Sequence, residues 1–220
     1  MIDSTQVYKQ VTDITTRLIM SGLSVKQNFP SMKNINGITE ISWEDKKDLS
    51  IVLKNVNYKN IYNELEKENN FNIKLIDGAL MQLMYRFDGK KLISHRLAFF
   101  PSPELEYYQN DPSLYEKEQI YADILSKQII PFPIRFDFDM DLTKHIEIDH
   151  PISHITLGQY KNCRIPVCSA ITPYLFADFI LRNFYHSSFS KYLNGKDMYT
   201  DLLPRTIVQN EEGVLHLNIN

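Results

Sequence analysis

Residues 79–100 read ALMQLMYRFDGKKLISHRLAFF, and this stretch decides the fold class of the chain. Apolar and polar side chains alternate in two runs, Ala79 to Phe87 and Lys90 to Phe100, on either side of Asp88-Gly89. Asp-Gly between two alternating runs is among the strongest hairpin signals, because both residues tolerate the backbone of a tight turn. The stretch therefore predicts two long antiparallel strands.

Segments on both sides of this hairpin carry the signals of further helices and strands. Apolar side chains at helical spacing, or a capping residue at the start, predict four helices: Ser4 to Met20, Asn57 to Glu68, Leu114 to Lys127 and Pro173 to Leu193. A polar loop, which includes Asn36 and Gly37, is expected after the first helix. Short runs between turn residues predict further strand pairs: Ile38–Trp43 with Leu49–Lys54, Ile134–Asp139 with His145–Asp149, Ile155–Leu157 with Arg164–Cys168, and Thr206–Val208 with Val214–Ile219.

Tight connections between successive strands favour antiparallel pairing, since a parallel pair needs a crossover of a dozen or more residues. We therefore predict an α+β fold. It consists of a curved, antiparallel, mostly hairpin-built sheet of about six to nine strands, with four helices packed mainly on one face. A length of 220 residues suits a single domain over residues 1–220, with the N-terminal helix at about 4–20 and the sheet and other helices over 38–220.

The composition argues against several classes of function. A net charge of −3 disfavours a broad basic surface for duplex DNA or anionic lipid, although a small basic pocket for nucleic acid stays open. No run approaches the roughly 20 consecutive apolar residues of a membrane span, and the first residues are unlike a signal peptide. We therefore expect a cytoplasmic protein without membrane contact. The chain has no phosphate-binding glycine loop, no dinucleotide fingerprint and no zinc-peptidase motif.

The densest set of ionisable side chains lies between residues 135 and 154. Alternation along Ile134–Asp139 puts the apolar side chains on one face of the strand and the polar ones on the other. The predicted second strand, His145–Asp149, alternates in the same way, and a His-Pro-x-x-His element follows it. If the two strands pair, one patch contains all the polar side chains of this region: Arg135, Asp137, Asp139, His145, Glu147, Asp149, His150 and His154.

Two kinds of chemistry fit this patch. Acid–base catalysis at a phosphate would use four candidate catalytic residues, with Arg135 and Arg96 as substrate contacts: His145, Asp149, His150 and His154. A divalent metal, Mn, Zn or Fe, would use carboxylates together with imidazole: Asp137, Asp139 and Glu147. Two other interpretations stay open. Alternating polar residues on an antiparallel hairpin are usually a solvated face, and the same residues also suit a polar network that holds the sheet or docks a partner.

Two residues of the first hairpin bear on the same question. His95 shares strand parity with Leu97 and Phe99, which predicts a buried, hydrogen-bonded core histidine. Arg96 points to the opposite face, and Arg86 has the matching parity on the preceding strand. Both arginines would extend a basic wall beside the patch.

Several motifs together resemble a known family. They run from about His95 to Tyr185: His95-Arg96-Leu97-Ala98-Phe99-Phe100-Pro101-Ser102-Pro103, Pro133-x-Arg135-Phe136-Asp137-Phe138-Asp139, Asp149-His150-Pro151-x-Ser153-His154-x-x-x-Gly158, Ile165-Pro166-Val167 and Thr172-Pro173. The chain is similar in these motifs, and in its length, to the bacterial family catalogued as domain of unknown function 2290. The resemblance implies a bacterial source and supplies no activity, cofactor or site residue.

Two functions follow as hypotheses. The first is a non-catalytic subunit or adaptor of a multi-component system, such as an anti-phage defence system, with a protein partner encoded nearby. It is favoured by the lack of an established catalytic motif and by 25 tyrosine and phenylalanine residues, since tyrosine is common at interfaces. The alternative is a small nuclease or phosphodiesterase, a toxin or defence effector that depends on the histidines and carboxylates of the patch.

Overall fold

The computed structural model describes residues 2–48, 50, 56–104, 132–160, 162–190 and 203–219. These ranges form nine strands and five helices, which confirms the predicted α+β class. In chain order the elements are α1 Ser4–Met20, β1 Ser24–Gln27, β2 Pro30–Ile35, β3 Ile38–Trp43, α2 Tyr58–Lys67, β4 Ile73–Leu75, β5 Leu80–Asp88, β6 Lys91–Phe100, β7 Ile134–Asp139, β8 Ser153–Leu157, β9 Arg164–Pro166, α3 Pro173–Phe184, α4 His186–Ser188 and α5 Gln209–Glu212.

The strands form one antiparallel sheet in the order β1-β4-β5-β6-β7-β8-β9. The edge of β5 that faces β4 pairs with β3 further along its length, and β3 pairs in turn with β2. The hairpin of β5 and β6 lies in the middle of this sheet, as the longest pair of strands. Asp88 pairs with Lys91, so the turn consists of Gly89-Lys90 and lies one residue later than predicted. Gly89 has a φ of +56°, a conformation that glycine adopts without a steric penalty.

The two faces of the sheet are covered differently. On one face α1 and α3 pack against each other and against the sheet, and they bury Tyr85, Leu97 and Phe136. On the other face α2 covers one end, where it buries Leu80 and other apolar side chains of β5 and β6. The rest of that second face carries polar side chains, and it holds the candidate functional site.

The hairpin of β2 and β3 corrects the prediction of a polar loop at residues 30–37. Asn36 and Gly37 both have left-handed backbones, with φ of +53° and +84°. Two such residues in sequence form the tight turn that matches the twist of a hairpin. Among the described residues the partners of β3 are β2 and β5. The predicted partner strand Leu49–Lys54 lies, apart from Ser50, outside the described residues, and the predicted helix Leu114–Lys127 lies outside them entirely.

The predicted strand His145–Asp149 is wrong. The partners of β7 are β6 and β8, and residues 145–149 form a compact loop closed by a bridge between Ile146 and His150. Ile148 has a φ of +70°, which an extended strand does not allow. Ile155 of β8 pairs with Phe136 and is buried, whereas Ile146 and Ile148 are exposed. The core contact that the alternation of Ile146 and Ile148 suggested is therefore made by β8.

The C-terminal region differs from its prediction in two ways. Helix α3 ends at Phe184, short of Leu193, and α4 follows it. The predicted hairpin of residues 206–208 with 214–219 is wrong, because residues 209–212 form α5. Leu217 instead extends the sheet beyond β9: its N–H donates to the Pro166 carbonyl at 2.9 Å, and its carbonyl accepts the Cys168 N–H at 2.9 Å.

Within the part of the chain that the structure describes, no helix combines the length and the apolar content that crossing a membrane requires.

Candidate functional site

One row of side chains crosses the uncovered part of the second sheet face. Met84 on β5 pairs with Arg96 on β6, Arg96 with Asp137 on β7, and Asp137 with His154 on β8. Neighbouring strands lie about 4.8 Å apart, so residues paired in register present their side chains side by side. The sheet therefore brings an arginine, a carboxylate and an imidazole together, although they lie far apart in the sequence.

The rows on either side add further charges. In one, Arg135 pairs with Thr156, and Thr156 with Arg164. In the other, Arg86 pairs with Ser94, and Ser94 with Asp139. Together these rows line an open cleft of about 480 Å³. Its lining residues are Glu40, Lys46, Met84, Arg86, Ser94, His95, Arg96, Arg135, Asp137, Phe138, Asp139, Lys144, His150, His154 and Arg164.

Asp137 is the centre of the charge network. Its carboxylate accepts a hydrogen bond from Arg96 Nε at 2.8 Å, and Arg135 Nε lies 3.7 Å away. Burial by itself favours the protonated carboxyl, but the two arginines outweigh it and keep the pKa of Asp137 below its ordinary value. Asp137 is therefore an anion at neutral pH, and its charge is shared between two guanidinium groups.

His154 is held in one tautomer. Its Nδ1 lies 2.8 Å from the Pro151 carbonyl, which can only accept, so Nδ1 carries the proton and donates it. In the neutral ring the lone pair is then on Nε2, which is 3.9 Å from Asp137 Oδ2. Burial lowers the pKa of His154 against the opposing effect of Asp137. The ring is thus neutral at pH 7, with its basic nitrogen beside a carboxylate.

His150 and Arg164 lie at the same end of the cleft. The rings of His150 and His154 meet edge to face with 5.2 Å between their centroids. Arg164 donates from Nη1 to the Asp149 carbonyl at 3.5 Å, which holds the loop of His150 near β9. The cleft therefore has two imidazoles in contact, one fixed by the backbone and one at its rim.

The cleft has more positive than negative charge. Six cationic side chains line it, against three carboxylates. Each carboxylate has a cation of its own: Asp137 has Arg96, Glu40 has Lys46 at 2.5 Å, and Asp139 has Lys144 at 2.7 Å. Once each carboxylate is matched with one cation, three arginines are left in surplus: Arg86, Arg135 and Arg164. A surplus of guanidinium in a concave surface favours a ligand with several anionic oxygens.

Polar atoms in the same cleft also lack partners among the described residues. Arg135 Nε and Thr156 Oγ1 are both buried, and neither has a hydrogen-bond partner there. Arg86 makes no ion pair with a described residue. Buried donors without a partner are uncommon in folded proteins, and water or a ligand usually satisfies them. Arg86 lies on β5, Arg135 on β7 and Thr156 on β8, and all three project from the same face of the sheet.

The structure brings together some of the predicted site residues and separates others. Five lie in the cleft in mutual proximity, and Asp139 lies at its edge: Arg96, Arg135, Asp137, His150 and His154. His145 and Glu147 contact α5 instead, since His145 Nε2 is 3.0 Å from Glu211 and Glu147 accepts from Asn210 at 2.5 Å. The predicted metal ligands Asp137, Asp139 and Glu147 do not converge. In the described ranges no three His, Cys, Asp or Glu side chains are placed to hold a metal ion.

Sequence reasoning missed Arg164, as well as the charged side chains Glu40, Lys46 and Lys144 at the cleft. Arg164 begins β9 and reaches the cleft only through the strand order β7-β8-β9. Alternation within one strand predicts the sheet face to which each side chain points, but it does not predict which strand lies next to it in the sheet. A sequence signal for Arg164 existed in the predicted pairing of Ile155–Leu157 with Arg164–Cys168, which β8 and β9 confirm.

Comparison with known proteins supports a family and no activity. No curated protein and no solved structure matches the chain. One family model matches residues 23–219, which include every strand and every residue of the cleft, and this confirms the resemblance seen in the sequence. The chain therefore belongs to the family described as Uncharacterized conserved protein (DUF2290).

Proposed function

We propose that the cleft binds a phosphodiester and that the protein is a small phosphodiesterase or nuclease. The observation that carries this proposal is the surplus of arginine beside a neutral imidazole. Arg86, Arg135 and Arg164 would contact phosphate oxygens, which guanidinium groups bind in a bidentate manner. His154, neutral and with its lone pair on Nε2, is in the form that a general base requires.

The reaction would proceed by proton transfer at Nε2 of His154. A hydroxyl oxygen, from water or from the substrate, gives its proton to Nε2 as it forms a bond to phosphorus. The bond from phosphorus to the leaving oxygen then breaks, and that oxygen takes a proton from His150 at the rim. Asp137, 3.9 Å from Nε2, would stabilise the imidazolium that forms on His154, and the arginines would stabilise the charge on the phosphoryl oxygens.

The experiment is hydrolysis of bis(p-nitrophenyl) phosphate by the full chain and two His154 variants. In His154→Asn the side-chain amide can still donate a hydrogen bond near the Nδ1 position, but it cannot accept a proton as a base. This variant should therefore fold and have a turnover lower by about 100-fold or more. The wild-type rate should rise with pH through a value below 6.5, because the base must be neutral. Arg182→Gln, an exposed change on α3 across the sheet, is the matched control. If His154→Asn and His154→Gln both turn over the substrate as fast as the wild type, His154 is not the general base.

A divalent metal stays a separate prediction of the sequence. Asp137 and His154 are the two cleft residues that could contribute a carboxylate and an imidazole to one ion. Elemental analysis of protein purified without chelator, repeated on the His150→Ala, His154→Ala double variant, tests it. Stoichiometric Mn, Zn or Fe that disappears in the double variant would support a metal site.

An exposed apolar surface favours the adaptor as a second candidate function. The loop after β7 exposes Leu142, Ile146 and Ile148, and the chain after α5 exposes Leu215 and Leu217. The bonds from His145 and Glu147 to α5 place these two segments side by side. Exposed apolar side chains in such number, on two segments joined by these bonds, are typical of a surface that another protein covers. The proposal places this protein in a bacterial cytoplasm, with the partner encoded beside it.

Co-expression with each protein encoded beside it tests this second candidate. A partner that co-purifies with the wild type should be lost from the Leu142→Ser, Ile146→Ser variant, while Met20→Ser, an exposed change at the end of α1, should retain it. A chain that elutes alone as a monomer beside every such protein would count against an adaptor.

A further inference from the structure

Four arginines of the cleft form a bent line across the sheet. Arg86 lies on β5, Arg96 on β6 and Arg135 on β7, and each step moves one strand sideways and two residues along. Arg164 on β9 lies in the same row as Arg135, two strands further, so the line bends at Arg135. With about 4.8 Å between strands and about 3.3 Å per residue, the steps are about 8–10 Å and the whole line spans about 23 Å. One phosphate group occupies only a small part of that length.

An exposed aromatic pair lies beyond the last arginines. Phe132 precedes β7 and Tyr160 lies in the turn between β8 and β9, with 43% and 78% of their surfaces exposed. Both rest on Gly158, where an added Cβ would lie 3.5 Å from the Tyr160 ring and 3.8 Å from Phe132 Cβ. The Gly158 N–H donates to the Pro133 carbonyl at 2.7 Å, which joins this turn to the start of β7.

The turn between β8 and β9 is also fixed to the face of the cleft. Gln159 donates from Nε2 to the Val56 carbonyl at 2.7 Å. Val56 packs with Ala98 and Phe100, which share the face of Arg96 on β6. The turn that carries Tyr160 is therefore tied, through Gln159, to the segment that packs on the face of the cleft beside the end of the arginine line.

We infer that the ligand of the cleft is a single-stranded polynucleotide, an inference that rests on the proposed function of the cleft. Its phosphates follow the line of arginines, and a base at one end stacks on Tyr160. A line of cations that tracks a backbone, combined with exposed aromatic rings, is how proteins hold single strands, whose unpaired bases are free to stack. A span of about 23 Å suits about four nucleotides, at the lower end of the site sizes of single-strand binders.

Two features favour a single strand over a duplex or a mononucleotide. The chain has a net charge of −3, and the surplus positive charge is confined to one narrow line, whereas a duplex presents two backbones to a broad surface. A mononucleotide would contact one or two of the arginines and leave the others without a phosphate. A strand of four nucleotides reaches all of them.

The experiment measures the affinity of the full chain for 5′-fluorescein oligouridylates and oligothymidylates of one to eight nucleotides, as a function of salt. Affinity should increase steeply up to about four nucleotides and then level off. The slope of log K against log salt should be about −2.1, since each phosphate contact on a single strand contributes about −0.7 and the carboxylates of the cleft leave three arginines in surplus. Arg86→Gln should reduce that slope by about 0.7, and Tyr160→Ala should weaken binding about tenfold with little change in slope.

Arg182→Gln is again the control, and Arg86 and Tyr160 are both exposed, so neither substitution should affect folding. Tighter binding of a ten-base-pair duplex than of a ten-nucleotide single strand would overturn the inference. Equal affinity for one and eight nucleotides would overturn it as well, while the phosphate site itself would stand. No binding of any nucleotide or oligonucleotide would reject both the inference and the proposed function.

Discussion

Acidification should destabilise this protein through His95, a residue outside the cleft chemistry. His95 is 5% exposed and lies between the rings of Tyr85 and Phe138, at centroid distances of 5.4 and 5.6 Å. Its Nε2 accepts the Ile171 N–H at 3.1 Å, so the neutral ring carries its proton on Nδ1. Burial lowers the pKa of His95 from 6.5 to about 4, and the charge of Asp137 opposes this shift only in part.

The sign of the effect follows from the order of the two pKa values. In the unfolded chain His95 binds a proton as the pH falls below 6.5. In the folded chain it does so only near pH 4. Stability therefore falls as the pH decreases through this window. The shift from 6.5 to about 4 corresponds to a loss of about 2.5 kcal/mol between pH 7.5 and pH 4.5, at about 1.36 kcal/mol per pKa unit.

Urea denaturation of the wild type and His95→Gln at pH 7.5, 6.5, 5.5 and 4.5 measures this loss. The wild type should lose about 2.5 kcal/mol more unfolding free energy than the variant over that range. The lowered pKa of His154 and the raised pKa of Asp77, both caused mainly by burial, affect the two proteins alike and cancel in the difference. Parallel curves for the wild type and His95→Gln would refute the reasoning.

Three further substitutions have calculable outcomes. Tyr185→Phe removes the hydroxyl that donates to both oxygens of buried Asp77, at 2.8 and 3.0 Å, and should lower the unfolding free energy measured in urea by about 1–3 kcal/mol. Gly37→Ala places a Cβ at a φ of +84° with nothing within 4 Å of it, so thermal unfolding should report only backbone strain, about 1 kcal/mol. Asp137→Asn leaves Arg96 without its carboxylate. Calorimetry should show tighter pyrophosphate binding, and urea denaturation should show a stability about 2–4 kcal/mol lower.

Local sequence signals predicted the centre of the fold well. The alternation around Asp88-Gly89 fixes β5 and β6 because both the turn and the faces are encoded within 22 consecutive residues. The same alternation correctly placed His95 in the core and Arg96 on the opposite face. Asn36-Gly37 is an equally strong turn signal. The strand before it, β2, was nevertheless missed, because its sequence is mostly polar and shows no alternation of apolar side chains.

Strand pairing explains what the sequence could not predict about the site. Residues 145–149 alternate as a strand does, and nothing local shows that Ile148 adopts a left-handed backbone. The partner of β7 is decided by which strand buries its apolar side against Phe136, and Ile155 of β8 does so. The correct pairing keeps His154 in the cleft, removes His145 and Glu147, and adds Arg164. A mistake about one neighbour therefore changes the chemistry of the whole site.

The pairing of Leu217 with the outer side of β9 has a practical consequence for handling the protein. An open sheet edge offers rows of unpaired backbone donors and acceptors to other chains, and natural proteins cover or interrupt such edges. Here Pro166 and the segment around Leu217 do so, through backbone bonds at 2.9 Å. Truncations that remove the segment around Leu217, and tags fused directly after it, should promote aggregation. Tags placed before α1 leave this edge covered.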